Sequence, residues 1–398
     1  MYQAMKYTTI LFALFLGLFL SSCVGEISES QSDSFMKMYG SGNLDQARGI
    51  VALENGGYAF CGTDSSSQGT KMMLVVTDSY GNLENGFPKF YPEESGNAGA
   101  NAIVAKNGGQ GGFLLSGFIE NERGDRDIYL VKVSSSGTVN WSESYGSVEN
   151  EEALHATEGI KNEFVLAGYQ EKNGEKDIMI MAVDQEGDSI DLSLNYNKPH
   201  NSKDAAANFI LNTGDNYLCV CTYNKFIGEG TDILVLNFDD DLSPNDDILG
   251  GQAEEFSKCI VQEDADNYIV LGNRENSQTG KSEILLHLVE TDGLLVKESS
   301  LLATISEAYT DLIAERLVKI EAGKYAIVGT RRAEGDDIFI QFLENYQIGD
   351  RITLGGEGDQ SGADIVVSEN GGLVVLGDNY SEGSRVISLI KTDESGNF

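Results

Sequence analysis

Sixty-three carboxylates stand against 27 lysines and arginines and three histidines, so chemistry in this chain must come chiefly from acidic oxygen. The densest oxygen cluster runs from Asp239 to Asp247, as Asp-Asp-Asp-Leu-Ser-Pro-Asn-Asp-Asp. Hard oxygen donors at that density suit Ca²⁺, which makes Asp239, Asp241 and Asp246 a weak candidate cation site. The run lacks EF-hand spacing, its central glycine and its closing glutamate, so it reads first as a solvated acidic turn. His155, His200 and His287 share no metal-ligand spacing, and there is no Cys-x-x-Cys; a histidine-built zinc or iron centre is not expected. No Gly-x-Ser-x-Gly elbow stands at a strand-to-helix turn, and no Gly-x-Gly-x-x-Gly opens a helix. No catalytic residue and no cofactor are therefore assigned. Paired Asp/Glu can do acid–base work, but nothing in the sequence selects a pair from so many.

The elements that would have to position such residues are legible. Seven phrases end on a small residue at near-constant spacing: Tyr58–Gly62, Phe113–Gly117, Phe164–Gly168, Tyr217–Cys221, Tyr268–Gly272, Tyr325–Gly329 and Leu373–Gly377. Between Gly62 and Gly377 lie 315 residues over six intervals, a mean period of 52.5. Short strands repeating with a period near 50 residues predict a β-propeller. About ten residues after each phrase comes a continuous apolar strand, usually opened by an acid and isoleucine, as at Asp127, Asp177, Asp232 and Asp337. Runs of this kind predict strands covered on both faces. A glycine turn and a weaker fourth strand follow, such as Val139–Ser144. Strands with small residues, such as Asp204–Ile210, suit the crowded propeller axis.

The expected fold is an all-β, seven-bladed propeller with four antiparallel strands per blade, over residues 35–398. The last unit stops at Phe398 before a fourth strand, and Phe35–Tyr39 resembles a fourth strand without a blade. The N-terminal strand is thus expected to close the last blade, removing the exposed edges of an open array.

Residues 1–22 read as a signal peptide, with Lys6 followed by an apolar run from Ile10 to Leu20 that is short for a membrane span. The run ends Leu20-Ser21-Ser22-Cys23, which resembles a bacterial lipobox. That resemblance implies cleavage before Cys23 and its acylation, with residues 23–34 as a lipidated tether and the membrane as partner. Val24 follows where an inner-membrane retention signal would place Asp, so the expected location is the outer membrane, in either leaflet. The net charge of −36 repels nucleic acid and anionic headgroups. Cys61, Cys219, Cys221 and Cys259 fall in predicted strands and are expected to be buried free thiols.

The repeat also resembles secreted bacterial β-propeller repeats of the delta-60 and beta-propeller-repeat types. Gly40, Asp45, Ala47, Gly56-Gly57-Tyr58 and Gly62 carry the resemblance in the first unit, and Gly117, Asp127, Gly137 and Trp141 in the second. It implies architecture but no activity. The loops joining second to third strands hold 11 Lys/Arg and 12 Asp/Glu, a balanced rim on an acidic body. Loops on rigid scaffolds carry binding, so Arg123, Arg126, Lys172, Lys176, Arg274, Arg331 and Arg332 form a candidate docking rim for an envelope protein or glycan. The expected function is non-catalytic binding or scaffolding at the bacterial envelope. The alternative is a carbohydrate-active enzyme that uses Asp/Glu on the propeller.

Overall fold

The computed structural model describes residues 33–93, 96–195, 204–224, 230–239, 244–250 and 253–398. Cys23, His200 and Asp241 lie outside these. The described strands form seven four-stranded antiparallel sheets, six of them running in chain order from an inner to an outer strand. Blade 1, for example, consists of Gln46–Ala52, Tyr58–Ser66, Gly69–Thr77 and Lys89–Tyr91. Blade 7 takes three strands from the C-terminal end, and its outer strand is Phe35–Tyr39, paired antiparallel with Ser384–Lys391 from Phe35↔Lys391 to Tyr39↔Ile387. The chain is therefore a seven-bladed β-propeller closed by its N-terminal strand.

The hydrophobic core is divided among the gaps between blades. Ala47, Ile50, Phe60 and Met73 of blade 1 pack against Val374, Leu376, Ile387 and Leu389 of blade 7. An equivalent apolar cluster joins blades 3 and 4 around Tyr217, Phe238, Ile178 and Ile180. Each third strand thus buries one face against the preceding blade and the other against the next. That is why these strands read as unbroken apolar runs rather than as alternating ones.

Outer strands carry a second device that links neighbouring blades. Tyr39 Oη donates to the Gly81 carbonyl at 2.5 Å and Tyr91 Oη to that of Gly137 at 2.6 Å; Tyr145 does the same to Gly187. In each case the acceptor is the turn glycine after the next blade's third strand. Gly81 and Gly137 have φ of +74° and +76°, a conformation that side-chain-bearing residues adopt only at a cost.

The inner strands share one irregularity. Their pairing with the second strands slips by one residue in all seven blades, at Ala47/Gly49, Ala100/Ala102, Ala153/His155, Ala207/Phe209, Ser257/Cys259, Ala314/Arg316 and Gly362/Asp364. These are β-bulges, which leave one residue unpaired and re-aim its side chain. The bulge also accounts for the glycine that ends six of the seven sequence phrases, Cys221 being the exception. Gly62 lies opposite Ala47, where the inner backbone bows inward, and a Cβ there would overlap the Gln46 carbonyl. A Cβ at Gly168 would meet Glu152 O in the same way.

Candidate functional site

The seven bulges place Arg48, Asn101, Leu154, Asn208, Lys258, Glu315 and Ala363 as unpaired residues on the innermost strands. Six of them, all but Asn101, line a cavity of about 400 Å³. This cavity is the mouth of the axial channel, on the face where second strands turn into third strands. The ring is tied laterally. Asn101 Nδ2 donates to Ala153 O of the next blade at 2.9 Å, Asn208 Nδ2 to Ser257 O at 3.1 Å, and Lys258 Nζ lies 2.6 Å from Glu315 Oε2.

One residue deeper, the channel narrows to a waist. The His155 imidazole stacks on the Phe209 ring at 3.8 Å between centroids. The Arg316 guanidinium lies 4.6 Å from the centroid of the same ring, and its Nε donates to Asp364 Oδ1 at 2.8 Å. Asp364 Oδ2 in turn accepts the Ile50 N–H at 3.0 Å, so the ion pair joins blades 6, 7 and 1. His155 Nδ1 accepts the Ile210 N–H at 3.4 Å, which leaves the ring's proton on Nε2. Burial, with Arg316 nearby, holds this imidazole well below its usual pKa. Beyond the waist a second cavity of about 440 Å³ opens toward the opposite face, and both cavities touch His155 and Arg316.

Asp378 stands out at the mouth. It follows the phrase glycine of blade 7, and its Oδ1 accepts the Ala47 N–H of blade 1 at 2.8 Å. The same interblade clamp is made by neutral residues elsewhere: Asn273 Oδ1 accepts the Ala314 N–H at 2.9 Å, and Thr222 Oγ1 the Ser257 N–H at 3.1 Å. A carboxylate is more than the clamp requires. Burial pushes the Asp378 carboxyl up to about 6, against the opposing pull of the Ala47 N–H, Arg385 and Arg48. Asp378 therefore titrates near neutrality at the edge of a polar cavity, which is where general acid–base groups are poised.

The rim arginines are spread around the face, and carboxylates of their own blade or the next neutralise them. Arg123 lies 2.9 Å from Asp125, Arg126 3.1 Å from Glu152, Arg274 2.5 Å from Glu283, Arg331 3.1 Å from Glu307 and Arg332 3.1 Å from Asp336. Arg126 also covers the Phe118 ring at 3.9 Å, and the Lys176 ammonium covers Tyr169 at 3.8 Å. Lys172 ends the second strand of blade 3, away from the axis. Only Arg332 of this set lines the mouth.

Of the acidic run, Asp246 lies in the outer strand of blade 4 (Asn245–Leu249) and Asp239 follows the end of its third strand. Among the described residues no three His, Cys, Asp or Glu side chains gather as metal ligands. The four described cysteines are buried and free. Burial raises the Cys61 thiol to about 12 and that of Cys259 to about 11, so neither is a nucleophile at neutral pH. Cys219 and Cys221 sit with their sulfurs 3.7 Å apart on one strand.

Sequence reasoning missed Arg48, Asn208, Lys258, Glu315, Arg316, Asp364 and Asp378. The available signal was the small residue of each inner strand, Ala47 through Gly362, which recurs 14 to 17 residues before the phrase's last residue. The residue just after it is the one that the bulge turns into the channel.

No family model matches the chain, and no curated protein sequence matches it. Among solved structures, a puromycin hydrolase aligns with TM-score 0.53 at 15% identity, over 88% of this chain and 52% of its own. A puromycin-hydrolyzing peptidase from Mycobacterium tuberculosis aligns with TM-score 0.52 at 10% identity, over 88% of this chain and 51% of its own. The β-propeller domain of the Trilobed protease from Pyrococcus furiosus aligns with TM-score 0.50 at 12% identity, over 89% of this chain and 96% of its own. The chain thus spans about half the length of the two puromycin-cleaving enzymes. At such identities the likeness shows the fold. It also corrects the expectation of a non-catalytic binding or scaffolding protein: the solved propellers this chain resembles belong to hydrolytic enzymes.

Proposed function

We propose that this chain is a hydrolase whose active site is the channel mouth, with Asp378 as its general acid–base group and Glu315 as the second carboxylate. The carrying observation is the position of Asp378. It makes a backbone clamp that neutral residues make in other blades, yet it bears a carboxyl half-protonated at about pH 6 beside a cavity of about 400 Å³. Such a group can protonate a leaving atom and then recover its proton from water. Two carboxylates on one cavity wall are the constellation of acid–base hydrolysis, one serving as acid and the other activating water or attacking directly. Lys258, 2.6 Å from Glu315, orients that second carboxylate. The waist below, filled by Phe209 and the Arg316–Asp364 pair, keeps the mouth a blind pocket in which a small substrate is held.

The test is turnover of a panel of chromogenic glycosides and esters by the purified propeller. The expected result is an optimum near pH 6, with Asp378→Asn lowering kcat by roughly 10²–10⁴-fold without lowering Tm. Wild-type rates no higher than those of Asp378→Asn across the panel would sink the reading.

The proposal extends to the setting. Cys23 carries a lipid, residues 23–34 form a tether, and the propeller, a repeat of the secreted bacterial type, is held at the outer membrane. Lys6, the apolar run from Ile10 to Leu20 and the sequence Leu20-Ser-Ser-Cys23 support this reading. Labelled palmitate should enter the wild-type chain and not Cys23→Ala; equal labelling of both would refute the anchor.

A further inference from the structure

The charges at the channel mouth do not cancel as those of the rim do. Lys258 is committed to Glu315 at 2.6 Å, Arg316 to Asp364 at 2.8 Å and Arg332 to Asp336 at 3.1 Å. Arg48 is different. It is the bulge residue of blade 1, it is exposed, and its guanidinium donates to two neutral oxygens, Gln46 Oε1 at 2.8 Å and Ala47 O at 3.5 Å. It thus enters the cavity with donors to spare in a planar fork suited to a carboxylate. Asn208 lines the same cavity. Its amide nitrogen is held by Thr222 Oγ1 at 3.2 Å and Ser257 O at 3.1 Å, while its buried Oδ1 has no hydrogen-bond partner. Native proteins seldom leave a buried acceptor open, because its lost hydration is then left uncompensated. An O–H or N–H donor from a ligand would satisfy it.

We infer that the mouth cavity takes a small hydroxylated carboxylate, the chemistry of an acidic sugar, with Arg48 gripping the carboxylate and Asn208 Oδ1 accepting from a hydroxyl. The cavity volume of about 400 Å³ matches such a ligand, since sites for small molecules span roughly 300–1,000 Å³. The net charge of −36 does not oppose this selection. Salt screens exposed charges beyond about 8 Å at physiological ionic strength. Arg48 acts at contact. Recognition is therefore local, and it places the carboxylate-bearing ring within the same pocket as Asp378.

This inference rests on the hydrolase reading for the identity of its site, but it predicts binding that does not need turnover. Calorimetric titration of the Asp378→Asn chain with glucuronate, glucose and inorganic sulfate separates the two. Glucuronate should bind, glucose should bind at least tenfold more weakly, and Arg48→Gln should weaken glucuronate by roughly ten- to a hundredfold, the range for a charged hydrogen bond. Arg48→Lys should recover part of that loss, because it restores the charge without the fork. Equal affinity for glucose and glucuronate, or an Arg48→Gln variant that binds glucuronate as well as its parent, would overturn the inference. Sulfate binding as tightly as glucuronate would also overturn it, reducing the site to a simple anion hole. If Asp378→Asn binds glucuronate as expected while the wild-type chain hydrolyses nothing, the ligand class stands and the hydrolase reading falls. Arg48 is exposed, so its variants should keep the Tm of their Asp378→Asn parent, which serves as the folding control.

Discussion

The rim and the channel mouth lie on the same face of the propeller and are built from the same residue types, yet they handle charge in opposite ways. On the rim each arginine finds a carboxylate on its own blade or the next, as Arg123 does with Asp125 and Arg331 with Glu307. Hairpin side chains are long and free to swing, so opposite charges meet there at little cost and with little gain. At the mouth the side chains are fixed by a bulge in a buried strand. Lys258 and Glu315 of adjacent bulges meet at 2.6 Å, but otherwise what each blade contributes depends on one residue type. Blade 1 contributes an arginine without a carboxylate, and blade 7 a carboxyl at a position where neutral residues suffice. In a repeat protein the framework positions recur, and chemistry resides where one blade departs from the rest.

That contrast can be broken first at the framework. Gly168→Val should destabilise the domain by about 3 kcal/mol or more, because the added side chain meets the Glu152 carbonyl, which belongs to a backbone that cannot give. Chemical denaturation reads this directly. A cost under about 1 kcal/mol would mean that the bulge relaxes and that the phrase glycine is not its partner. The same substitution logic does not apply to the bulge residues themselves, which vary freely from Arg48 to Ala363.

The division between what was legible and what was not follows from this. Tyr58–Gly62 and its repeats were readable because each phrase combines an apolar run with a small last residue, a glycine in all but Tyr217–Cys221. Phe35–Tyr39 was readable as the missing strand because its aromatic-glycine ending matches that of Trp141–Gly146. The bulge was not readable. It breaks the two-residue alternation on which strand reading depends, and its residue changes from blade to blade, with only Asn101 and Asn208 alike. Asp378 was invisible for another reason: next to a glycine in an acidic chain it looks like any other surface carboxyl, and only its burial and its clamp to Ala47 set it apart. The rim was seen, but its ion pairs were not, since partners such as Glu152 and Glu307 lie 26 and 24 residues away along the chain from Arg126 and Arg331.

A smaller effect sharpens the comparison through pH. Folding raises the Asp378 carboxyl from the ordinary range near 4 to about 6. The native state therefore binds this proton more tightly than the unfolded chain does. The resulting stability is fully present below pH 4 and is lost as pH rises through 6. Asp378→Asn keeps an oxygen for the Ala47 N–H and removes the titration. Relative to that variant the wild-type chain should lose up to about 2 kcal/mol between pH 4 and pH 7, with the two converging at low pH. Parallel stability curves for the two chains across this window would show that Asp378 is not held at a raised pKa, and would remove its claim to acid–base work. A residue that destabilises its fold at neutral pH is expected where function sets the choice.

The smallest effect belongs to the rim. Arg123 is more than half exposed, bridges to Asp125 on its own hairpin and donates to the Ser147 carbonyl at 2.5 Å. Exposed pairs of this kind contribute about 0–1 kcal/mol, reduced further by salt. Arg123→Ala should therefore shift Tm by no more than a degree or two, and it should leave hydrolysis and glucuronate binding as they are, because the side chain is satisfied far from the axis. Arg48→Gln should do the reverse, leaving Tm in place while binding falls. If instead the Arg123 variant loses binding to the same extent as the Arg48 variant, the two regions are one electrostatic surface. The distinction between swinging hairpin charges and charges held by a bulge would then carry no functional meaning.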